Sequence, residues 1–372
     1  MGSACVATNP SAPPDAVAVQ ESDPLTPRFP DSRSASGDFE GKALPGMMAR
    51  RRAFDLSLAL GAAAADAAPG RAGAPPGRGA AGLRLASGAC SVPHPGKASQ
   101  GADSYFVAPS GTGVGVADGV GEWEWRFGCD PRAFADELMA GCLAAVELRP
   151  PEGEAGRDPG FSAYLAMRSG FGQARSFGSS TALVAALHSD VGVLGVASLG
   201  DSTLMQLRRG GDGLDTRFRV VARTLEQQHS FNCPFQLCRM PREEDIPRLL
   251  AEGKQKLARA VMRRPQVKED LPEDARRYSL PVEEGDLLVV GTDGVFDNLH
   301  DHEICDLLAS LCPEAGRASP ERLAEAIVSA ACERSRRRDG SSPFSVHARN
   351  SGYAHAGGKM DDVTCVCAWL VH

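Results

Sequence analysis

Five short apolar runs restrict the architectures open to this 372-residue chain. They occupy 114–117, 181–187, 191–199, 287–290 and 363–371, and turn signals such as Asp118-Gly119 and Glu284-Gly285-Asp286 bound them. Such runs are too short for ordinary helices and lack polar alternation, so they predict strands buried on both faces. Helical periodicity fills the spaces between them. Over 131–147, Phe134, Leu138 and Cys142 recur on one face. Ser319-Pro320-Glu321 offers a cap, a first-turn proline and an early acid. Leu323, Ile327 and Ala331 continue that face towards Arg334 and Arg336 to Arg338, which suit the negative end of a helix dipole. Clustered strands separated by helices imply an α/β layered domain. No internal repeat is evident.

One stretch, 240–278, departs from its surroundings, with ten basic and eight acidic side chains. Ile246, Leu249, Leu250, Leu257 and Val261 nonetheless fall at helical spacing. The pattern predicts an exposed amphipathic helix inserted between strands. It reads either as a solvated excursion or as a flap that contacts substrate.

Composition changes sharply near residue 85. Residues 1–85 are rich in Ala, Gly, Pro and Ser and poor in aromatics. Such a segment cannot bury enough apolar surface to offset its chain entropy, so it reads as a disordered or removable extension. Its first part is acidic (Asp15, Glu21, Asp23, Asp31, Asp38, Glu40), whereas 47–85 carries Arg50, Arg51, Arg52, Arg71, Arg78 and Arg84 against Asp55 and Asp66. From Met48 onward the text is basic and Ala-rich in the manner of a transit peptide; a plain Ala/Arg linker is the other reading. The best candidate span, 53–69, is broken by Asp55 and Asp66, and no stretch reaches the ~18 apolar residues that a membrane helix requires. A net charge of −7 argues against a nucleic-acid binder with a broad basic face. The 11 cysteines fit no zinc pattern: Cys365-Val-Cys367 lacks a second pair, and Cys233 and Cys238 stand five apart. They read as buried free thiols of a reducing compartment.

The candidate chemistry lies in aspartates beside glycines at strand ends. Four motifs carry it: Gly101-Ala102-Asp103; Ala117-Asp118-Gly119-Val120-Gly121; Gly291-Thr292-Asp293-Gly294-Val295-Phe296-Asp297-Asn298; and Gly357-Gly358-Lys359-Met360-Asp361-Asp362. Each places an Asp where an apolar strand meets a turn. Carboxylates converging at one sheet edge repel one another unless cations neutralise them, and hard divalent ions such as Mg²⁺ or Mn²⁺ prefer oxygen ligands. Two such ions sharing a carboxylate suit hydrolysis of a phosphate ester.

In order along the chain, these motifs resemble those of the metal-dependent protein phosphatases, the PPM family of type 2C Ser/Thr phosphatases. The set also includes Gly178-Ser179-Ser180-Thr181-Ala182 and Leu199-Gly200-Asp201-Ser202. The resemblance covers residues 86–372. Ser91-Val92-Pro93-His94-Pro95-Gly96-Lys97, Val120-Gly121-Glu122-Trp123 and 226–237 resemble the branch with mitochondrial and, in plants, plastid-associated members. What the resemblance implies is an α/β (α+β) layered sandwich: two mainly antiparallel central sheets flanked by helices, with the metal site at one edge. It further implies two Mg²⁺ or Mn²⁺ ions with a weaker third, a phosphorylated protein as substrate, a monomer, and an organellar location.

By that resemblance Asp118 bridges the two metals and Gly119 offers its carbonyl to one. Asp293 and Asp361 ligate the other, Asp103 orients water, and Asp201 contributes to the third site. Asp362 stands where many relatives have Asn and supports its neighbour's geometry. The implied reaction is direct attack of activated water on phosphorus. No Cys nucleophile is needed. There are three departures from the family pattern. Ala102 replaces the first acid of the start motif, which implies weaker affinity for the second ion. Val120 replaces a frequent His, so a general acid is unassigned. The usual phosphate-binding Arg is not visible, and Lys97 is the nearest cation. His229 reads as a structural hydrogen-bonder or a donor near the site. Trp123 and Trp125 read as groove-lining or as buried anchors. A phosphatase-like scaffold that binds protein partners without catalysis is the alternative function.

Overall fold

The computed structural model describes residues 82–97, 100–148, 158–210, 217–262, 269–312 and 316–372. The expectations for a disordered or targeting segment before residue 82 lie outside the described residues. Fourteen strands appear among them. They are β1 (Arg84–Val92), β2 (Ser104–Val107), β3 (Gly113–Ala117), β4 (Gly178–Ser180), β5 (Ala182–His188), β6 (Val193–Leu199), β7 (Thr203–Arg209), β8 (Phe218–Arg223), β9 (Gln228–Ser230), β10 (Cys233–Pro234), β11 (Leu237–Arg239), β12 (Arg276–Pro281), β13 (Leu287–Gly291) and β14 (Val363–Val371). Two five-stranded sheets dominate, in the orders β1-β14-β13-β7-β8 and β12-β6-β5-β3-β2. Every pairing in both is antiparallel.

The helices are α1 (Glu122–Phe127), α2 (Pro131–Glu147), α3 (Pro159–Gln173), α4 (Ile246–Ala251), α5 (Gln255–Met262), α6 (Asp293–Phe296), α7 (Asp301–Leu311), α8 (Pro320–Ser335) and α9 (Pro343–Asn350). The two longest begin as their sequences dictate. Asp130 caps α2 by accepting from Arg132 N at 2.9 Å, with Pro131 in the first turn, and Ser319 caps α8 in the same way. Among the described residues no helix is long and apolar enough to cross a membrane.

Strand periodicity explains the layering. Along β14, Cys365, Cys367 and Trp369 face α7 and α8, while Val366, Ala368 and Leu370 face the other sheet. Leu287 and Val289 of β13 take the helix side, and Leu288 and Val290 the inter-sheet side. The second sheet does the same with α2 and α3, through Ala182, Val184, Ala197 and Leu199 against Phe134, Leu138 and Met167. The result is helices, sheet, sheet and helices around three apolar layers, the sandwich expected from the sequence. Both faces of the central strands are covered, which is why their sequences show no polar alternation.

Two expectations need correction. β1 opens at Arg84, and Leu83 and Leu85 are buried, so the sheet reaches into the segment that composition assigned to the extension. The stretch 240–278 is not one exposed helix. Gly253 adopts a φ of +74°, which ends α4 and separates it from α5. Leu249, Leu257 and Val261 are buried against Trp123 and Phe177, and the last residues of the stretch enter β12, an edge strand paired with β6.

Candidate active site

Antiparallel pairing delivers the motif aspartates to one end of the sandwich. Asp103 immediately precedes β2 and Asp118 immediately follows β3, its partner. Asp293 follows β13, and Asp361 and Asp362 precede β14, its partner. The chain crosses between the sheets at this end, where Thr292 Oγ1 donates to Asp103 Oδ2 at 2.8 Å. The last strand and α6 also touch here. A Cβ on Gly294 would lie 2.0 Å from the carbonyl oxygen of Asp362, so only glycine permits that approach.

The GSST strand clamps the Asp118 turn. Thr181 N donates to Asp118 O at 3.0 Å, Asp118 N donates to Thr181 Oγ1 at 3.1 Å, and Ser180 Oγ donates to Asp118 O at 2.8 Å. Ser202, beside Asp201, hydrogen-bonds Thr181 Oγ1 at 2.9 Å, which ties the LGDS turn to the same frame. Gly119 N donates to Ala102 O at 3.2 Å, so the backbone on either side of Asp103 and Asp118 is joined directly.

The side chains brought together are Asp103, Asp118, Asp201, Asp293, Asp297 and Asp361, and their electrostatics are those of crowded carboxylates. Burial pushes Asp118 well above the usual carboxylate range, and the nearby charges of Asp103, Asp293, Asp361 and Asp201 push it further. Asp103 is pushed up to about 7, first by burial and then by Asp362. Burial and then Asp293 raise Asp201 and Asp361. Asp297 rises to about 7 through burial, against the pull of Lys359. Asp103 Oδ1 and Asp293 Oδ1 are buried without a hydrogen-bond partner. Buried carboxylate oxygens of this kind call for a hydrogen-bond donor or a cation. An all-oxygen donor set with two orphaned carboxylate oxygens fits a hard dication. As the side chains are placed, no three acidic, His or Cys groups among the described residues stand close enough together to hold an ion. The ammonium of Lys359 lies among them instead, contacting Asp293, Asp297 and Asp361.

Asp362 has a different environment from its neighbour. Its Oδ1 accepts from His94 N at 2.7 Å, and its Oδ2 accepts from Ala102 N at 2.7 Å and from Lys97 Nζ at 2.5 Å. With three donors on its two oxygens, it fixes the loop before Asp103, and Lys97 is its counter-charge. Trp123 is buried and its Nε1 donates to Ser179 Oγ at 2.8 Å, whereas Trp125 is 72% exposed on α1. His229 Nε2 pairs with Asp270 Oδ2 at 2.8 Å and its ring stacks on Phe235, so it holds the β9–β10 hairpin and not a reacting group. From that hairpin Gln228 Nε2 reaches Asp201 Oδ2 at 3.4 Å.

Sequence reasoning assigned no role to Asp297, Lys359 or Thr292. Asp297 stood within a quoted motif, and one helical turn from Asp293 was the available signal. A lysine between glycines and aspartates reads as a solvated turn, and no local pattern announces its burial.

No family model matches the chain. It is 34% identical over 272 residues to a PTC7-homologue protein phosphatase of Drosophila grimshawi, named fig, covering 72% of this chain and 78% of that one. It is 32% identical over 291 residues to probable protein phosphatase 2C 55 of Arabidopsis thaliana, covering 77% of this chain and 52% of the relative. The chain spans about half the length of the first plant relatives, between 42% and 59%. Among solved structures, the photosystem II phosphatase PBCP superposes with a TM-score of 0.59 at 28% identity, over 77% of this chain and 99% of that one.

Proposed function

The chain belongs to the protein phosphatase 2C family, and from that premise we propose that it is a Mg²⁺- or Mn²⁺-dependent protein serine/threonine phosphatase. The observation that carries the proposal is the meeting of Asp103, Asp118, Asp201, Asp293 and Asp361 at one end of the sandwich, with the buried oxygens Asp103 Oδ1 and Asp293 Oδ1 left unpartnered. In this reading Asp118, the Gly119 carbonyl, Asp293 and Asp361 would hold two cations, and Asp201 would serve a weaker third. Bound cations would neutralise the phosphoryl oxygens and lower the pKa of water for attack on phosphorus.

The remaining work falls to the chain. Asp103 is held at Oδ2 by Thr292 Oγ1, which leaves Oδ1 to accept a proton from water and orient it. Thr181 and Ser180 fix the turn that aims Asp118. Asp362, neutralised by Lys97, fixes the Ala102–Asp103 backbone against the start of β14. Positioning of this kind matters because phosphoryl transfer depends on orientation and electrostatics more than on covalent chemistry.

The test is phosphate release from a phosphothreonine peptide. Turnover with Mn²⁺, abolished by chelator and by Asp293→Asn, supports the assignment. A wild type with no turnover at millimolar Mn²⁺ refutes it in favour of a scaffold. We further propose a monomer located in a mitochondrion or plastid. The basic, Ala-rich text from Met48 and the likeness to a photosystem II phosphatase support the location. Fluorescent fusions begun at Met1 and at Met48 test it, and cytosolic signal from both contradicts it.

A further inference from the structure

Lys359 lies two residues before Asp361, and the fold turns its ammonium inward. Its Nζ donates to Asp293 Oδ2 and stands 2.9 Å from Asp297 Oδ2 and 3.3 Å from Asp361 Oδ2. The ring of Phe344 lies over it, with the centroid 5.3 Å from Nζ. Phe344 in turn packs against Phe231, at the tip of the β9–β10 hairpin, and against His355. The ammonium is therefore enclosed by carboxylates on one side and aromatic rings on the other.

The backbone beneath it is fixed. Asn298 Nδ2 donates to Lys359 O at 2.9 Å, and Lys359 N donates to Asn298 Oδ1 at 3.0 Å. These two hydrogen bonds to one amide join the loop to the end of the DGVFDN motif. A Cβ on Gly358 would lie 2.3 Å from Arg334 O, so the loop rests directly on the last turn of α8. Nζ can leave the cluster only if the Lys359 side chain itself turns.

Asp293 and Asp361 are the two carboxylates assigned above to one cation, and the ammonium already bridges them through the Oδ2 of each. A monovalent cation and a divalent one cannot share that position, because both need the same oxygens and repel each other. We propose that Lys359 is a built-in counter-ion of the metal centre. It holds Asp293 and Asp361 together in the metal-free protein and withdraws when a divalent cation takes up that pair. Lys359 is thus a positioning residue that stabilises the metal-free fold and weakens cation affinity at that position. The inference rests on the assignment of Asp293 and Asp361 as cation-holding residues.

The experiment is calorimetric titration of Mn²⁺ into chelator-stripped full-length chain, for wild type, Lys359→Met and Lys359→Gln, with a thermal melt of each. Both variants should bind Mn²⁺ at least about tenfold more tightly than wild type, since a repelling charge beside the ion is gone. Stripped of metal, both should melt below wild type, because three carboxylates lose their ammonium. Equal or weaker binding by both variants, with wild type still binding, overturns the role of Lys359 and leaves the cation site standing. No Mn²⁺ binding by any of the three removes the cation site and this inference together. Should the stripped variants fail to fold, Mn²⁺-loaded protein is titrated with EGTA. Wild type should release its metal at lower EGTA than either variant, and the reverse order or equality overturns the proposal.

Discussion

Replacing Asp362 by Ala removes the acceptor of three donors at once. Ala102 N is fully buried and loses its bond at 2.7 Å; an unpaired buried N–H costs about 2 kcal/mol. His94 N is only part-buried, and its loss adds about 1 kcal/mol. Lys97 is 27% exposed and recovers water, so its share stays below about 1 kcal/mol. The expected destabilisation is about 3 kcal/mol at pH 7, measured by urea unfolding of the metal-free chain. Asp362→Asn should recover part of that loss, because its amide oxygen can keep Ala102 N and Lys97 while its NH₂ is set only against His94 N. The pH profile supplies a second check. Burial works to raise the Asp362 carboxyl, but the hydrogen bonds from His94 N, Lys97 and Ala102 N outweigh it, and the folded value lies below 3.8. The unfolded chain therefore takes up the proton first as pH falls. The gap between wild type and variant should stay constant above about pH 5 and narrow below about pH 4. A loss under about 1 kcal/mol at pH 7, or a gap that widens in acid, would refute the clamp.

Gly294→Ala should lower stability by about 2 kcal/mol or more, since its Cβ meets the Asp362 carbonyl at 2.0 Å; an unchanged melting temperature contradicts this contact. Glu137→Gln should cost about 1 kcal/mol after allowance for solvent, because Glu137 accepts from Ser176 N and Ser176 Oγ, each at 2.7 Å, and from Arg175 N. Burial opposes the shift, but those bonds hold the Glu137 carboxyl below its usual 4.5, so the difference should be complete above that pH and close as pH falls. Ala102→Glu restores an acid beside Asp103 and should lower the Mn²⁺ concentration that gives half-maximal phosphate release. No change in that concentration contradicts the reading of Ala102 as a lost carboxylate.

What the sequence disclosed depended on burial. Strands β13 and β14 were legible to within a residue, because both faces are covered and nearly every position is apolar. The edge strands β8 and β12 were not. Their exposed residues carry Arg219, Arg276 and Arg277, charges that protect an open edge and erase the strand pattern. Helix α3 escaped notice because Ala163, Ala166 and Gly170 let it sink among its neighbours with little polar contrast between faces. In the site, the aspartates announced themselves because each follows or precedes an apolar run next to glycine. The burial of Lys359 did not, since it depends on Phe344 and Asn298, far along the chain from its own turn. Thr292 acquires its partner Asp103 only when the two sheets are stacked, and Asp297 its partner Lys359 only when β13 and β14 pair.

The account stands on Asp118, Asp293 and Asp361 gathering divalent cations between them. Crystals soaked in Mn²⁺ and measured at a wavelength where manganese scatters anomalously test this directly. The account predicts anomalous peaks against the Asp118 carboxylate, one of them shared with Asp293 and Asp361, and the loss of that peak in Asp293→Asn. Full Mn²⁺ exposure with no peak at these three residues would contradict it.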